Sequence, residues 1–201
     1  MKNYEFAIKI EGTYNPKEFI EKWSRTYSYK LEPKYNDNIK VGFDSDISLL
    51  ELMRWKNGTG DNIAKNKSVL VDYFIGERES LKTLKNNFDL TEFEKKFKPD
   101  KSSSIWTIFI LHIMNPDKYP IFDQHVYRSF NFFQTGDIKE LPSEKYKEIY
   151  RIYKEEYSPW FNELKEEYEL EPREIDKSLL SFGQVLKKVK GFPLTILNKL
   201  N

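Results

Sequence analysis

The sequence predicts an all-α protein with a short extended segment at its start. Three observations lead there. Apolar residues recur at helical spacing through most of the chain, and Pro, Asn and Ser stand where such stripes begin and end. The one alternating stretch (Tyr4, Phe6, Ile8, Ile10) would make a single strand, and a single strand makes no sheet. At 201 residues the chain fits one two-lobed helical domain, 1–201, around a shared cleft.

The elements follow in order. Asn15-Pro16 opens a helix to about Ser28, with Pro16 in the tolerant first turn and Phe19, Ile20 and Trp23 on one face. An Asn-, Asp-, Lys- and Pro-containing loop runs to about Asp44. Ser45 or Asp46 caps a helix carrying Leu49, Leu50, Met53 and Trp55, which Asn57-Gly58 terminates. One long helix is predicted from Asn66 towards Asn86 through Val69, Leu70, Tyr73 and Phe74, and another over Thr91–Phe97, stopped by Pro99. The next helix is apolar on nearly every face, from Ile105 to Ile113, as a central buried helix would be, and Asn115-Pro116 ends it. Asp123 precedes a helix to about Phe133. Tyr146, Ile149, Tyr150, Tyr153 and Tyr157 form a further stripe, broken at Ser158-Pro159, and Leu179, Phe182, Leu186 and Val189 mark a final helix over Arg173–Lys190.

Composition narrows the function classes. With 15 Phe, 13 Tyr and 4 Trp the chain can build a core, so disorder is not expected. The absence of Cys removes thiolate chemistry and Cys-based metal sites, and His112 and His125 are too few for a multi-His centre, so neither a metal nor a cofactor is expected. No signal-peptide core opens the chain, and the apolar run Ile105–Met114 is too short to span a bilayer; a soluble, cytoplasmic protein without membrane partners is expected.

The net charge of +1 means that nucleic-acid binding would rest on local patches. Ser143–Lys177 carries 11 acidic against 7 basic residues and is a poor face for phosphates. Two segments are basic: Lys95, Lys96, Lys98 and Lys101, and Lys187, Lys188, Lys190 and Lys199. Either could touch a nucleic-acid backbone; solvated lysines at helix ends are the plain alternative.

The chemistry concentrates in SSSIWTIFILHIMNPDKYPIFDQHVYRSF, Ser102 to Phe130. A buried helix leads through a turn with two prolines to Ile121-Phe122 and then to Asp123 at a helix start. There the backbone N–H groups and the helix dipole stabilise a charged carboxylate, which can orient a water or meet a developing cation. Asp123 could equally do no more than cap its own helix. His125 is no metal partner for it, because Asp-x-His on a helix sets the side chains about 200° apart. His112 reads as a hydrogen-bonded core histidine; the acids of Arg173–Lys177 could line a cleft, and read more simply as a solvated, capped helix start.

The string YPIFDQHVYRSF resembles the catalytic segment of helix-hairpin-helix DNA glycosylases, through Pro120, Ile121, Phe122, Asp123, His125, Val126 and Arg128. The resemblance covers about 30 residues. It implies a two-lobed helical fold of that type, Asp123 as the catalytic residue, double-stranded DNA with an everted base as the partner, and hydrolysis of the N-glycosidic bond of a damaged, mismatched or modified base. Where such proteins have a glycine hairpin this chain has Lys98-Pro99-Asp100-Lys101-Ser102, so phosphate contact would fall to Lys95, Lys96, Lys98, Lys101 and the helix start at Ser102 and Ser104. The Schiff-base lysine of bifunctional members would fall near Ser104, so a monofunctional enzyme is expected. Trp55, Trp106, Tyr119 and Phe122 are candidates for lining the base pocket or wedging the duplex, with core packing as the alternative for each. Arg128 is expected to pair within the protein, and His125 to pack. The altered hairpin leaves a second reading open: a catalytically silent scaffold that binds nucleic acid or a protein partner.

Overall fold

The computed structural model of the chain describes residues 8–10, 15–58, 62–97, 104–142, 146–190 and 194–196. The chain divides into two compact units. One comprises Met1–Tyr27, Phe122–Pro142 and Tyr153–Asn201, the other Ser28–Ile121 and Ser143–Ile152. The boundary at Ile121/Phe122 falls within the segment that carries the chemistry.

The first unit contains α1 (Pro16–Ser24), α8 (Gln124–Thr135), α10 (Ser158–Glu167) and α11 (Pro172–Val189). Asn15 caps α1, its Oδ1 accepting from Glu18 N at 2.8 Å, but the helix ends four residues short of Ser28. The extended start of the chain does find a partner: β1 (Ile8–Ile10) pairs in parallel with β2 (Leu194–Ile196), Ile8 opposite Leu194. The pairing joins opposite ends of the sequence, a relation that local patterning does not carry. Phe132, Phe182 and Leu186 form the buried centre, with Phe19, Trp23, Ile138 and Val189 packed on it. Each fully buried Phe or Leu contributes about 1.5–3 kcal/mol.

Helices α8 and α11 run antiparallel. Ser129 Oγ donates to Leu179 O at 2.6 Å, and one turn earlier along α8 His125 lies against Gly183. A Cβ on Gly183 would stand 1.9 Å from His125 O, so only glycine lets the first turn of α8 approach α11 this closely.

The polar periphery of this contact is an ion pair between a buried guanidinium and a part-exposed carboxylate. Arg128, 4% exposed, donates three hydrogen bonds to Glu140, Nε to Oε1 at 2.9 Å and to Oε2 at 3.0 Å, and Nη2 to Oε2 at 2.7 Å; Lys190 Nζ adds a fourth, to Oε1 at 3.1 Å. Hydrogen bonding from Arg128, ahead of Lys190, holds the Glu140 carboxyl below its ordinary value. A depressed carboxylate stabilises the fold above its unfolded value, and the contribution is lost as pH falls through the folded one. Glu140→Gln is expected to cost about 1–3 kcal/mol at pH 7, because it strips a buried guanidinium of its counter-charge. The cost should shrink between about pH 5 and pH 3, where the wild type gives up the same interaction. Urea midpoints at pH 7 and pH 3.5 check this.

The second unit contains α2 (Glu32–Asn38), a 3-10 turn (Gly42–Asp44), α3 (Asp46–Asn57), α4 (Lys65–Gly76), α5 (Arg78–Asn86), α6 (Leu90–Lys96), α7 (Ser104–Met114) and α9 (Tyr146–Arg151). α3 matches its sequence signals: Ser45 caps it, and Gly58 closes it at φ 79°. The predicted loop before Asp44 instead contains α2, started by Pro33 and held by Tyr35, which is 5% exposed and packed on Trp55. The long helix predicted from Asn66 is two helices, α4 and α5, broken at Gly76-Glu77. Val69 and Tyr73 face outward, 67% and 45% exposed, while Val71, Phe74 and Leu81 are buried.

α7 is the buried centre of this unit, with every described side chain but Ile105 buried. His112 on it satisfies both ring nitrogens. Nδ1 donates to Tyr119 O at 2.7 Å, since a carbonyl can only accept, so Nε2 accepts from the Tyr35 hydroxyl, also at 2.7 Å. The pair pins the turn after α7. Tyr35→Phe would orphan the buried Nε2 and is expected to lower stability by about 1–3 kcal/mol, measurable by urea unfolding. No helix among the described residues is long and apolar enough to cross a membrane.

Candidate functional site

Asp123 stands immediately before α8 with extended backbone angles, φ −157° and ψ −174°. Its Oδ1 accepts from His125 N at 2.8 Å and from Val126 N at 3.0 Å. Both capping bonds fall on one oxygen, and Oδ2 takes no part in the cap. The residue is half-buried, between the buried Phe122 and Val126.

The neighbours on α8 are committed elsewhere. Arg128 pairs with Glu140, and its Nη1 donates to His125 Nδ1 at 2.9 Å. Arginine has no acceptor, so the proton of the His125 ring sits on Nε2. With its backbone against Gly183, His125 is a packing and hydrogen-bonding residue.

Around the approach to Asp123 the first unit builds a shell of rings. Phe122 lies 4.9 Å from the Tyr157 ring and 5.6 Å from that of Tyr153, centroid to centroid, and Phe130 lies 5.5 Å from Tyr157. Tyr153 and Tyr157 belong to a π-helical segment, Ile152–Tyr157, where a plain α-helical stripe is predicted. The cause is local. Pro159 has no N–H to return to the Glu155 carbonyl, so the ladder is short of a bond just before α10. The Tyr157 hydroxyl is wholly buried and finds no hydrogen-bond partner among the described residues; the same is true of the buried Gln124 Nε2. Burial, then the charge of Asp176, then Tyr153 and Asp123, push the Tyr157 hydroxyl well above its ordinary value.

Asp176 corrects an expectation. Read as part of a solvated helix start, it is 3% exposed. The signal was present: Asp176, Leu179 and Gly183 are spaced i, i+3, i+7, which puts the acid on the buried stripe of α11. Tyr157 stood in the sequence as one aromatic of a stripe, with nothing to mark its hydroxyl as distinct.

The aromatic wedge candidates are also corrected. Trp55, Trp106, Tyr119 and Phe122 are 4%, 7%, 6% and 1% exposed, so none projects as a wedge. Trp55 stacks on Phe109 at 5.6 Å, and Tyr119 leans on Phe88 at 5.5 Å. Rings at helical spacing shed more water by packing than by standing free. Only Phe122 belongs to the same unit as Asp123.

Of the expected phosphate contacts, Lys98, Lys101 and Ser102 lie outside the described residues, as does Lys199. Ser104 does not serve: its hydroxyl is buried and donates to Tyr146 O at 2.7 Å, tying α7 to α9. Lys95 is exposed, and Lys96 pairs with Glu77 at 2.9 Å. Lys187 and Lys188 are exposed on the last turn of α11.

An apolar cleft of about 250 Å³ opens in the first unit between Phe19, Ile20, Phe133, Trp160, Leu164 and Leu179. Phe133 is ten residues along α8 from Asp123, roughly 15 Å at helical rise, so the cleft and the carboxylate are separate features.

The chain matches no family model, no curated protein and no solved structure. What bears on function is the chemistry of the Asp123 region itself.

Proposed function

We propose that this chain hydrolyses the N-glycosidic bond of a damaged, mismatched or modified base in DNA, as a monofunctional glycosylase of the helix-hairpin-helix type. One observation carries the reading: Asp123 gives a single oxygen to its helix cap and keeps the other out of it, in a half-buried position at the amino terminus of α8. Asn and Ser cap as well as Asp, so the acid brings a charge that the cap itself does not require.

The chemistry asks for such a group. As the N–C1′ bond breaks, its electron pair leaves with the base and positive charge develops on the deoxyribose. A fixed carboxylate stabilises that charge where it forms. Water then adds its oxygen to C1′ and passes a proton to Asp123. The base has to be everted from the duplex to bring its sugar within reach. The resemblance of YPIFDQHVYRSF to the glycosylase segment supports the same role for Asp123.

A second reading, a silent scaffold that binds nucleic acid or a protein partner, draws on the altered hairpin sequence and the net charge of +1. The two readings part on one experiment. Duplexes carrying a panel of lesions and modified bases are incubated with the protein and treated with alkali. Strand breaks that vanish in Asp123→Asn establish excision; no product across the panel favours the scaffold. For either DNA-binding reading, affinity is expected to fall as salt rises. The slope should flatten by about 0.9 for each phosphate-gripping lysine among Lys95, Lys96, Lys98 and Lys101 that is neutralised. A salt-independent affinity would exclude binding through the DNA backbone.

A further inference from the structure

Packing alone does not account for the Tyr157 hydroxyl. Its ring is locked by Phe122 at 4.9 Å, Phe130 at 5.5 Å, Phe161 at 5.9 Å and Trp160 at 6.1 Å, all of which a phenylalanine would satisfy equally. The hydroxyl is fully buried and has no protein partner within hydrogen-bond distance among the described residues. Burying a hydroxyl unpaired is costly, and such groups in folded proteins are usually joined to a partner or to an ordered water. The titratable groups that act on it are Asp176 from α11, Tyr153 from its own segment and Asp123 from the head of α8. Two of these are carboxylates, which accept, and the Tyr157 ring lies 4.9 Å from that of Phe122, the residue next to Asp123, so the protonated hydroxyl is a donor with two acceptors among the charges that reach it.

We propose that Tyr157 is a positioning residue for Asp123: its hydroxyl fixes the Oδ2 atom left out of the cap through one intervening water, with Asp176 as that water's second acceptor. A water in a buried site needs two to four polar partners, and Tyr157, Asp176 and Asp123 provide three. The backbone N–H groups of His125 and Val126 immobilise Oδ1, and the Tyr157 link immobilises the other oxygen, so the carboxylate is held in one orientation before any substrate arrives. That pre-organisation is what electrostatic stabilisation of a developing cation demands. The π-helical turn serves the same end. It carries Tyr157 to the end of the segment, directly before Ser158-Pro159, and π-bulges of this kind recur at functional sites.

The role in catalysis rests on the base-excision reading, but the coupling between Tyr157 and Asp123 does not, and the test separates them. The full chain is labelled with ζ-¹³C tyrosine, and the Tyr157 resonance is identified by its disappearance in Tyr157→Phe. That resonance is expected to move in Asp123→Asn and in Asp176→Asn, with Asp123→Asn keeping the wild-type unfolding temperature. In the alkali-cleavage assay Tyr157→Phe is expected to slow single-turnover excision by about tenfold or more, with DNA affinity unchanged, as removal of a group that orients the reacting carboxylate should. Its unfolding temperature should stay close to that of the wild type, because one water-mediated bond is lost and the rings remain. A resonance indifferent to Asp123→Asn overturns the proposal, and Tyr157→Phe that excises at the wild-type rate overturns the positioning role. A resonance that responds in a protein excising nothing from the panel retains the coupling and rejects the base-excision reading alone.

Discussion

On the proposed base-excision reading, Asp123→Asn is expected to lower the excision rate by about 10²–10³-fold or more while leaving the protein folded, the scale on which a pre-organised electrostatic group contributes. The separation of the two effects follows from the geometry. Oδ1 accepts from His125 N and Val126 N, and the carbonyl oxygen of asparagine can accept both. Asn and Asp are near-equal N-caps, so the unfolding free energy should change by less than about 0.5 kcal/mol. Asp123→Ala removes the cap as well and should cost about 0.5–2 kcal/mol in addition to activity. Single-turnover cleavage after alkali, read beside urea unfolding of the same preparations, tests both statements. Equal activity in wild type and Asp123→Asn would leave Asp123 as a cap and nothing more.

Gly183→Ala has the largest expected effect on stability. In an open helix the substitution stabilises by roughly 0.5–1 kcal/mol, since alanine is the better helix former. At this position the new methyl would stand 1.9 Å from His125 O, 2.6 Å from its carbonyl carbon and 3.0 Å from its Cα, all backbone atoms that no rotamer change can move aside. Either α8 or α11 has to shift, which carries Ser129 away from Leu179 and Arg128 away from Glu140. A destabilisation of about 3 kcal/mol is expected from overpacking of this kind, at the upper end of its usual range, and chemical denaturation measures it. The head of α8 is among the displaced parts, so Gly183→Ala should also slow excision where the fold survives. Wild-type stability in this variant would show that α8 and α11 stand farther apart at Gly183 than a methyl group requires.

Much of the scaffold could be read locally. Asn15-Pro16, Ser45 with Gly58, and Asp123 mark their helix ends through groups that hydrogen-bond within a few residues, and the all-round apolarity of Ile105–Ile113 announced a buried helix. Local reading failed where distant residues decide. α2 looks like a loop by composition and is held by Tyr35 meeting His112 and Trp55. The same holds for the candidate site. Asp123 was legible from its own segment, as was the commitment of Arg128 to the protein interior. Trp55, Trp106 and Tyr119 carry no local mark that separates a core ring from a stacking one.

What the sequence alone determined, then, is where helices start and stop and which acid heads α8, because capping, proline geometry and apolar periodicity act over a few residues. The tertiary structure decided that Asp176 and the Tyr157 hydroxyl are buried in the same unit as Asp123, and that Gly183 sets the distance between α8 and α11. Those are properties of residues about 20 to 60 positions apart in the chain, and burial and charge act through space without regard to that separation.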